Sequence, residues 1–111
     1  MSENRRYLRR QRLRTADIAA LLSGGRAVKR AGVSVASRAN GLDVPRLGLI
    51  VPKRVLPRAV DRNRAKRMLR EWFRCTQTRL GNRDVLIRVI KGAVDIKEVE
   101  KCLAGASWAE R

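Results

Sequence analysis

Residues 60–73 read Val60-Asp61-Arg62-Asn63-Arg64-Ala65-Lys66-Arg67-Met68-Leu69-Arg70-Glu71-Trp72-Phe73. Ala65, Met68, Leu69, Trp72, Phe73 and, just beyond, Thr76 recur at i, i+3, i+4, i+7, i+8 and i+11, the spacing of one face of an α-helix. At about 100° per residue, Asn63, Lys66, Arg67, Arg70 and Arg74 spread over the opposite side. Arg64 falls toward one edge of that arc, and Arg62 lies near the border of the apolar stripe. The spacing predicts a basic helix over residues 59–76, one face buried and the other covered by cations. A polyphosphate is the partner class that such a face fits.

Upstream of this helix, Pro57 is placed for a helix start, and Lys53, Arg54 and Arg58 add charge ahead of it. Leu47 to Val51 is a short apolar run that fits a buried strand, which Pro52 ends. Asn40-Gly41 signals a turn and Pro45 interrupts any continuous strand, so a hairpin loop is expected over residues 41–46. Val28, Val33 and Val35 suggest strand within residues 26–39. Residues 15–23 read as a short helix, with Thr15 as its cap and Asp17 at the positive end of the dipole. Gly24-Gly25 stops it, and Ile18, Leu21 and Leu22 form its apolar face. Residues 1–14 form a basic arm carrying Arg5, Arg6, Arg9, Arg10, Arg12 and Arg14 against a single acid, Glu3.

Downstream, Gly81-Asn82 turns the chain and Val85 to Ile90 reads as a second buried strand. Ile96, Val99 and Leu103 stand at helical spacing in a last amphipathic helix over residues 95–103. The outline is one domain over residues 1–111: an α+β, two-layer sandwich in which helices cover a small sheet.

Composition narrows the function. The 111 residues carry a net charge of +17, and 44% are hydrophobic, so a folded domain with a strongly basic surface is expected. No run approaches the ~18 apolar residues of a membrane span, and the first residues lack the apolar core of a secretory signal. A cytoplasmic protein is therefore expected, with Cys75 and Cys102 as reduced thiols in packing positions.

The chain has no histidine, which excludes imidazole acid–base catalysis and any zinc site that needs His ligands. No close acidic pair stands at a strand end to hold two metal ions. Asp61 reads as a helix N-terminal acid, and Glu71 as an ion-pair partner of Arg67. Of the four aromatic residues, Trp72 and Phe73 lie on the buried helix face, so a base-stacking platform is not supported. Phosphate contact remains as the main mode of binding.

Arg62-Asn63-Arg64-Ala65-Lys66-Arg67, followed by Arg70-Glu71, closely resembles the R-N-R-x-K-R-x-x-R-E signature of the bacterial ribonuclease P protein component. Leu47 to Arg54 looks like that family's G-L-x-V-x-K-[KR] strand, with Ala59 at the matching distance before the motif. Asp84 to Val89 fills the place of the strand after the helix, and Arg12-Leu13 that of the R-L before the first helix. The resemblance spans roughly residues 12–91.

The resemblance implies a sandwich with a small mixed sheet and a left-handed crossover carrying the basic helix, against the usual hand. It implies a catalytic RNA subunit that uses Mg²⁺ to cut precursor tRNA at the mature 5′ end, with no catalytic residue and no bound cofactor in the protein. Arg62, Asn63, Arg64, Lys66, Arg67 and Arg70 would face that RNA, with Lys53, Arg54 and Arg58 nearby. The precursor's 5′ leader would lie in a cleft between the first helix and the sheet, which the family often lines with aromatic side chains. The matching positions in this chain are the aliphatic Ile18, Leu22, Val33 and Val35. The competing reading is a structural, ribosomal-type RNA-binding protein.

Overall fold

The computed structural model describes residues 11–24, 26–30, 32–92 and 94–105; the first ten residues of the arm expected over residues 1–14 lie outside them. Three helices and four strands follow in the order α1 (Thr15–Gly24), β1 (Arg26–Arg30), β2 (Val33–Ala39), β3 (Arg46–Ile50), α2 (Ala59–Leu80), β4 (Arg83–Val89) and α3 (Ile96–Gly105). This is the expected mixed α+β sandwich. The long helix runs one turn past the expected end, because Gln77 and Leu80 continue its buried face. It stops at Gly81, whose φ of 65° lies in the region that favours glycine.

The sheet has the order β1-β2-β4-β3. β2 pairs antiparallel with both β1 and β4, whereas β3 pairs parallel with β4. Parallel neighbours require a crossover, and α2 is that crossover. The expected hairpin over residues 41–46 is therefore corrected. Asn40-Gly41 does turn the chain, with Gly41 at a φ of 69°, but β4 lies between the two strands that the turn connects. The hairpin lies instead within residues 26–39, which read as a single strand region in the sequence and form both β1 and β2.

Side chains alternate across a strand, so the pairing register sorts the sheet into two faces. Val33 and Val35 of β2, Val85, Ile87 and Val89 of β4, and Leu47 of β3 share one face. They pack with Leu69, Trp72 and Phe73 of α2 and Val99, Cys102 and Leu103 of α3. Ala36 of β2 and Leu86 of β4 point the other way, into a smaller cluster with Leu13 and with Leu21 of α1. Residues 33–37 are all buried because helices cover both faces. Arg12 bridges to Leu47 in parallel, and the Leu13 amide donates to the Leu47 carbonyl at 2.9 Å, so the segment before α1 covers the outer edge of β3.

One end of the sheet is held by a buried carboxylate. Asp84 is fully buried at the start of β4. It accepts from Arg46 Nε and Nη2, both at 2.8 Å, and from Asn40 Nδ2 at 3.0 Å. Arg38 approaches at 3.4 Å. Asp17 of α1 then lies 3.4 Å from Arg46 and 3.7 Å from Arg38, which ties the helix to the sheet. Burial acts to raise the Asp84 pKa, but hydrogen bonds from Arg46 and Asn40 and the charges of Arg46 and Arg38 outweigh it, and the carboxyl stays below its ordinary range.

The α2–α3 contact has its own polar link. Trp72 Nε1 donates to Glu100 Oε2 at 2.6 Å, and Arg79 Nη2 donates to the same carboxylate at 2.8 and 2.9 Å. At the N-terminal end, the buried Gln11 donates to Gln77 Oε1 at 2.8 Å and to the Pro45 carbonyl at 3.2 Å. α2 is thus fastened to the rest of the chain near its C-terminal half.

Two stability outcomes are expected. Asp84→Ala leaves Arg46 and Asn40 facing a void and should cost about 3–5 kcal/mol in urea unfolding. Because the folded pKa of Asp84 lies below its unfolded value, its contribution is present above about pH 4 and lost as the pH falls through the folded value. The acid-induced loss of stability should therefore be shallower in Asp84→Asn than in the parent protein. At Gly32, an added Cβ would stand 2.4 Å from the Lys91 carbonyl oxygen. Gly32→Ala should lower stability by roughly 1–3 kcal/mol through backbone displacement, read as a lower Tm.

Candidate nucleic-acid interface

α2 begins after Arg58, whose extended backbone makes it the N-cap without a side-chain cap bond. Asp61 lies in the first turn and takes a paired contact from Arg58, with Nε at 2.8 Å and Nη2 at 3.2 Å. That hydrogen bond holds the Asp61 carboxyl below its ordinary range and raises the Arg58 guanidinium. The sequence reading of Asp61 as a helix N-terminal acid holds, and Arg58 adds a local partner.

The apolar stripe is buried as its spacing required. Ala65, Leu69, Trp72, Phe73 and Thr76 lie in the core, and Met68 is half-buried. Because those positions are fixed inward, Asn63, Arg64 and Arg67 come to the surface as exposed residues, with Lys66 half-exposed beside them. Lys53 and Arg54 are exposed in the loop between β3 and α2, where a turn closes on the Pro52 carbonyl. The side chains of Lys53, Arg54, Arg64, Lys66 and Arg67 form no hydrogen bond or ion pair with another described residue. They form a cation array on α2 and the loop that enters it, and burial of the opposite helix face keeps the α2 cations outward.

Two of the expected contact residues are more firmly held. Arg62 folds back and donates from Nη1 to the carbonyls of Leu56 at 2.9 Å and Pro57 at 2.8 Å, bracing the loop that enters the helix. Its position at the border of the apolar stripe is the sequence signal for that role. Arg70 is half-buried, with Nε enclosed and without a hydrogen-bond partner. Glu71 pairs with Arg74 at 2.5 Å, not with Arg67, so Arg67 keeps its charge open to a partner. The i,i+3 contact to Arg74 is available to Glu71 on the exposed surface, and its hydrogen bond keeps the Glu71 carboxyl low.

The expected cleft residues do not come together. Val33 and Val35 are buried at 2% and 0% exposure on the sheet face packed by α2 and α3, away from α1. The alternation of β2 forces this: residues 34, 36 and 38 are the ones that face α1. Ile18 is half-buried against the α1-side cluster, whereas Leu22 is 55% exposed and lies outside the apolar face. Cys102 is buried as expected, and burial pushes its thiol up. Cys75 is corrected to an exposed residue.

On the α1 side, the register aligns Lys29, Ser34, Arg88 and Ile50 in one cross-strand row. Lys29 and Arg88 are exposed, so this face carries a second pair of cations. Sequence reasoning missed that row, because it depends on which strands become neighbours.

Among the described residues, no group of three or more His, Cys, Asp or Glu side chains is placed to hold a metal ion. No helix among them is long and apolar enough to cross a membrane. A small mixed sheet that pins a two-faced helix, apolar inward and cationic outward, defines a basic α/β domain of the polyanion-binding kind. The Ribonuclease P family profile matches residues 8–107. The chain belongs to that family.

The ribonuclease P protein component of Vibrio cholerae serotype O1 is 44% identical over 77 residues, covering 68% of this chain and 65% of that protein. The corresponding protein of Nitrosococcus oceani is 41% identical over 71 residues, covering 64% of this chain and 60% of that one. The matched region thus spans just under two thirds of these relatives' length. The solved RNase P protein of Staphylococcus aureus superposes with a TM-score of 0.78 at 27% identity, covering 87% of this chain and 95% of that one. The RNase P protein from Thermotoga maritima, solved with 1-(4-fluorophenyl)-2-thiourea, gives a TM-score of 0.70 at 29% identity and covers 83% and 92%.

The array and the brace should separate in mutagenesis. Arg64→Ala, Lys66→Ala and Arg67→Ala should each leave the Tm near that of the parent. Each should reduce the slope of log K against log salt for RNA binding by about 0.7–0.9 if it removes one phosphate contact. Arg62→Ala should instead lower stability by roughly 1–3 kcal/mol, because two carbonyls lose a charged donor.

Proposed function

We propose that this chain is the protein subunit of a ribonuclease P ribonucleoprotein. In this reading it binds a catalytic RNA and the 5′ leader of precursor tRNA, and it assists endonucleolytic removal of that leader. The observation that carries the reading is the conjunction of the family match over residues 8–107 with the outward cation array on α2 and its preceding loop. Lys53, Arg54, Arg58, Asn63, Arg64, Lys66 and Arg67 contact the RNA subunit, with Arg62 and Arg70 supporting the surface from its edge. Phosphate contacts of this kind supply affinity and register and carry little base information.

The chemistry belongs to the RNA and its Mg²⁺. The chain lacks histidine, and the described carboxylates other than the exposed Asp43 are committed to ion pairs and caps. Asp84 is enclosed by Arg46, Arg38 and Asn40, Asp61 is taken by Arg58, and Glu100 by Trp72 and Arg79. The protein's part is to neutralise phosphate repulsion, which lowers the concentration of free cation needed to dock leader and catalyst. A cytoplasmic location follows from this role in tRNA maturation.

The leader site in this proposal lies between α1 and the sheet, and its lining differs from that expected from sequence. Lys29, Ser34, Arg88 and Ile50 form its floor and Ile18 its wall, in place of Leu22, Val33 and Val35. Cations and aliphatic surface hold the leader by its backbone, with less of the stacking that aromatic walls give.

Cleavage of a precursor tRNA at low Mg²⁺ tests the proposal, with protein alone, a bacterial ribonuclease P RNA alone, and both together. Only the mixture should release the leader at the mature 5′ end. Cleavage by protein alone would sink the reading. Tight RNA binding without activation would favour a structural RNA-binding protein.

A further inference from the structure

A cavity of about 270 Å³ opens within the cation array, lined by Leu56, Asp61, Arg64, Ala65, Met68 and Val94. Its walls come from three places: the loop before α2, the first three turns of α2, and the segment before α3. Leu56, Ala65, Met68 and Val94 make the slot apolar, and Asp61 and Arg64 stand on the same lining with opposite charge. The exposed Arg58 reaches this lining through its paired contact with Asp61.

We propose that this cavity receives one unpaired guanine base of the RNA bound along α2. The inference rests on the reading of α2 as an RNA-binding face and adds a base-specific subsite to it. An apolar slot with Arg64 on its lining and Arg58 beside it fits a strand whose phosphates stay outside while one base turns inward. Both described aromatic residues, Trp72 and Phe73, are in the core. Base contact within the described surface therefore falls to aliphatic and thioether groups, and Met68 offers a flexible, polarisable wall. Phosphate contacts alone would leave the surface indifferent to sequence.

The polar pair selects the base. Guanine presents two N–H donors, N1 and the exocyclic N2, on its Watson–Crick edge, and a carboxylate accepts from both. Asp61 takes one bond at each oxygen from the exposed Arg58, and the incoming base displaces that pairing, which frees Arg58 for a neighbouring phosphate. Guanine O6 and N7 are acceptors suited to an arginine such as Arg64. Adenine places the N1 acceptor where guanine has a donor, which sets a lone pair against the carboxylate. Pyrimidines are smaller and fill less of the slot.

A methyl-resolved NMR titration of the free protein tests this, with 5′-GMP, 5′-AMP and ribose 5-phosphate as probes at equal ionic strength. 5′-GMP should shift the Leu56, Met68 and Val94 methyl signals saturably, and should bind at least about fivefold more tightly than 5′-AMP, the lower end of two-bond base readout. Ribose 5-phosphate should leave those methyls in place. In Asp61→Asn, a substitution at a half-buried position whose Tm serves as the folding control, the preference for 5′-GMP should fall to about one. Equal methyl shifts with all three probes, no methyl shifts, or an undiminished preference in the variant would each overturn the subsite. Because RNA subunit and precursor are absent from the titration, its outcome is independent of the cleavage assay. Base selectivity without ribozyme activation would refute the assigned function alone.

Discussion

The structure depends on the burial of one face of α2. Leu69 and Phe73 are fully enclosed and Trp72 nearly so. Each large side chain of this kind contributes on the order of 1.5–3 kcal/mol by leaving water. That sum fixes the rotation of the helix about its axis, and the rotation decides where Arg64, Lys66 and Arg67 point. In a chain of net charge +17, mutual repulsion favours expansion of the surface. The apolar stripe opposes this, and so do the polar links of Gln11 to Gln77 and of Trp72 and Arg79 to Glu100. Function and stability therefore occupy opposite sides of the same 22-residue helix.

The second constraint is topological. Placing β4 between β2 and β3 makes α2 a crossover between parallel neighbours and gives the sheet two covered faces. One face takes α2 and α3, and the other takes Leu13 and α1. The buried Asp84 sits where these arrangements meet. It draws in Arg46 from β3, Arg38 from β2 and Asn40 from the loop after β2, and through the arginines it reaches Asp17 on α1. Asn40 also accepts the Leu42 amide at 2.8 Å and donates to the Val44 carbonyl at 3.0 Å, shaping the loop from within. An isolated carboxylate in that position would be costly, and three donors make it a local organiser of the sheet end.

Much of this was legible in local sequence. The 3.6-residue spacing of residues 65–76 located α2, and the apolar runs at 47–51 and 85–90 located two strands to within a few residues. The signature from Arg62 to Glu71 pointed to the family. Features that depend on long-range pairing were not legible. Asn40-Gly41 encodes a turn but carries no information on which strand will fill the gap beside it. Val33 and Val35 look like suitable cleft residues until the register assigns odd positions of β2 to the α2 face. Glu71 could reach several cations, and the choice of Arg74 over Arg67 rests on side-chain geometry that spacing does not settle. Arg62 reads as one of a series of surface arginines, yet its place at the stripe border turns it back onto the Leu56 and Pro57 carbonyls. Asp84 figured in the sequence only as the first residue of the stretch that fills the place of the strand after the helix, with no sign of its buried partners.

In the proposed function the exposed face of α2, and not the α3 side, meets the catalytic RNA. Tethered hydroxyl-radical probing tests it directly. The exposed native cysteine would be removed by Cys75→Ser, and an iron chelate attached at Arg67→Cys on α2 or at Lys97→Cys on α3. The account predicts localised scission of a bacterial ribonuclease P RNA from position 67 and only background scission from position 97. Equal scission from both sites, or scission from position 97 alone, would contradict it.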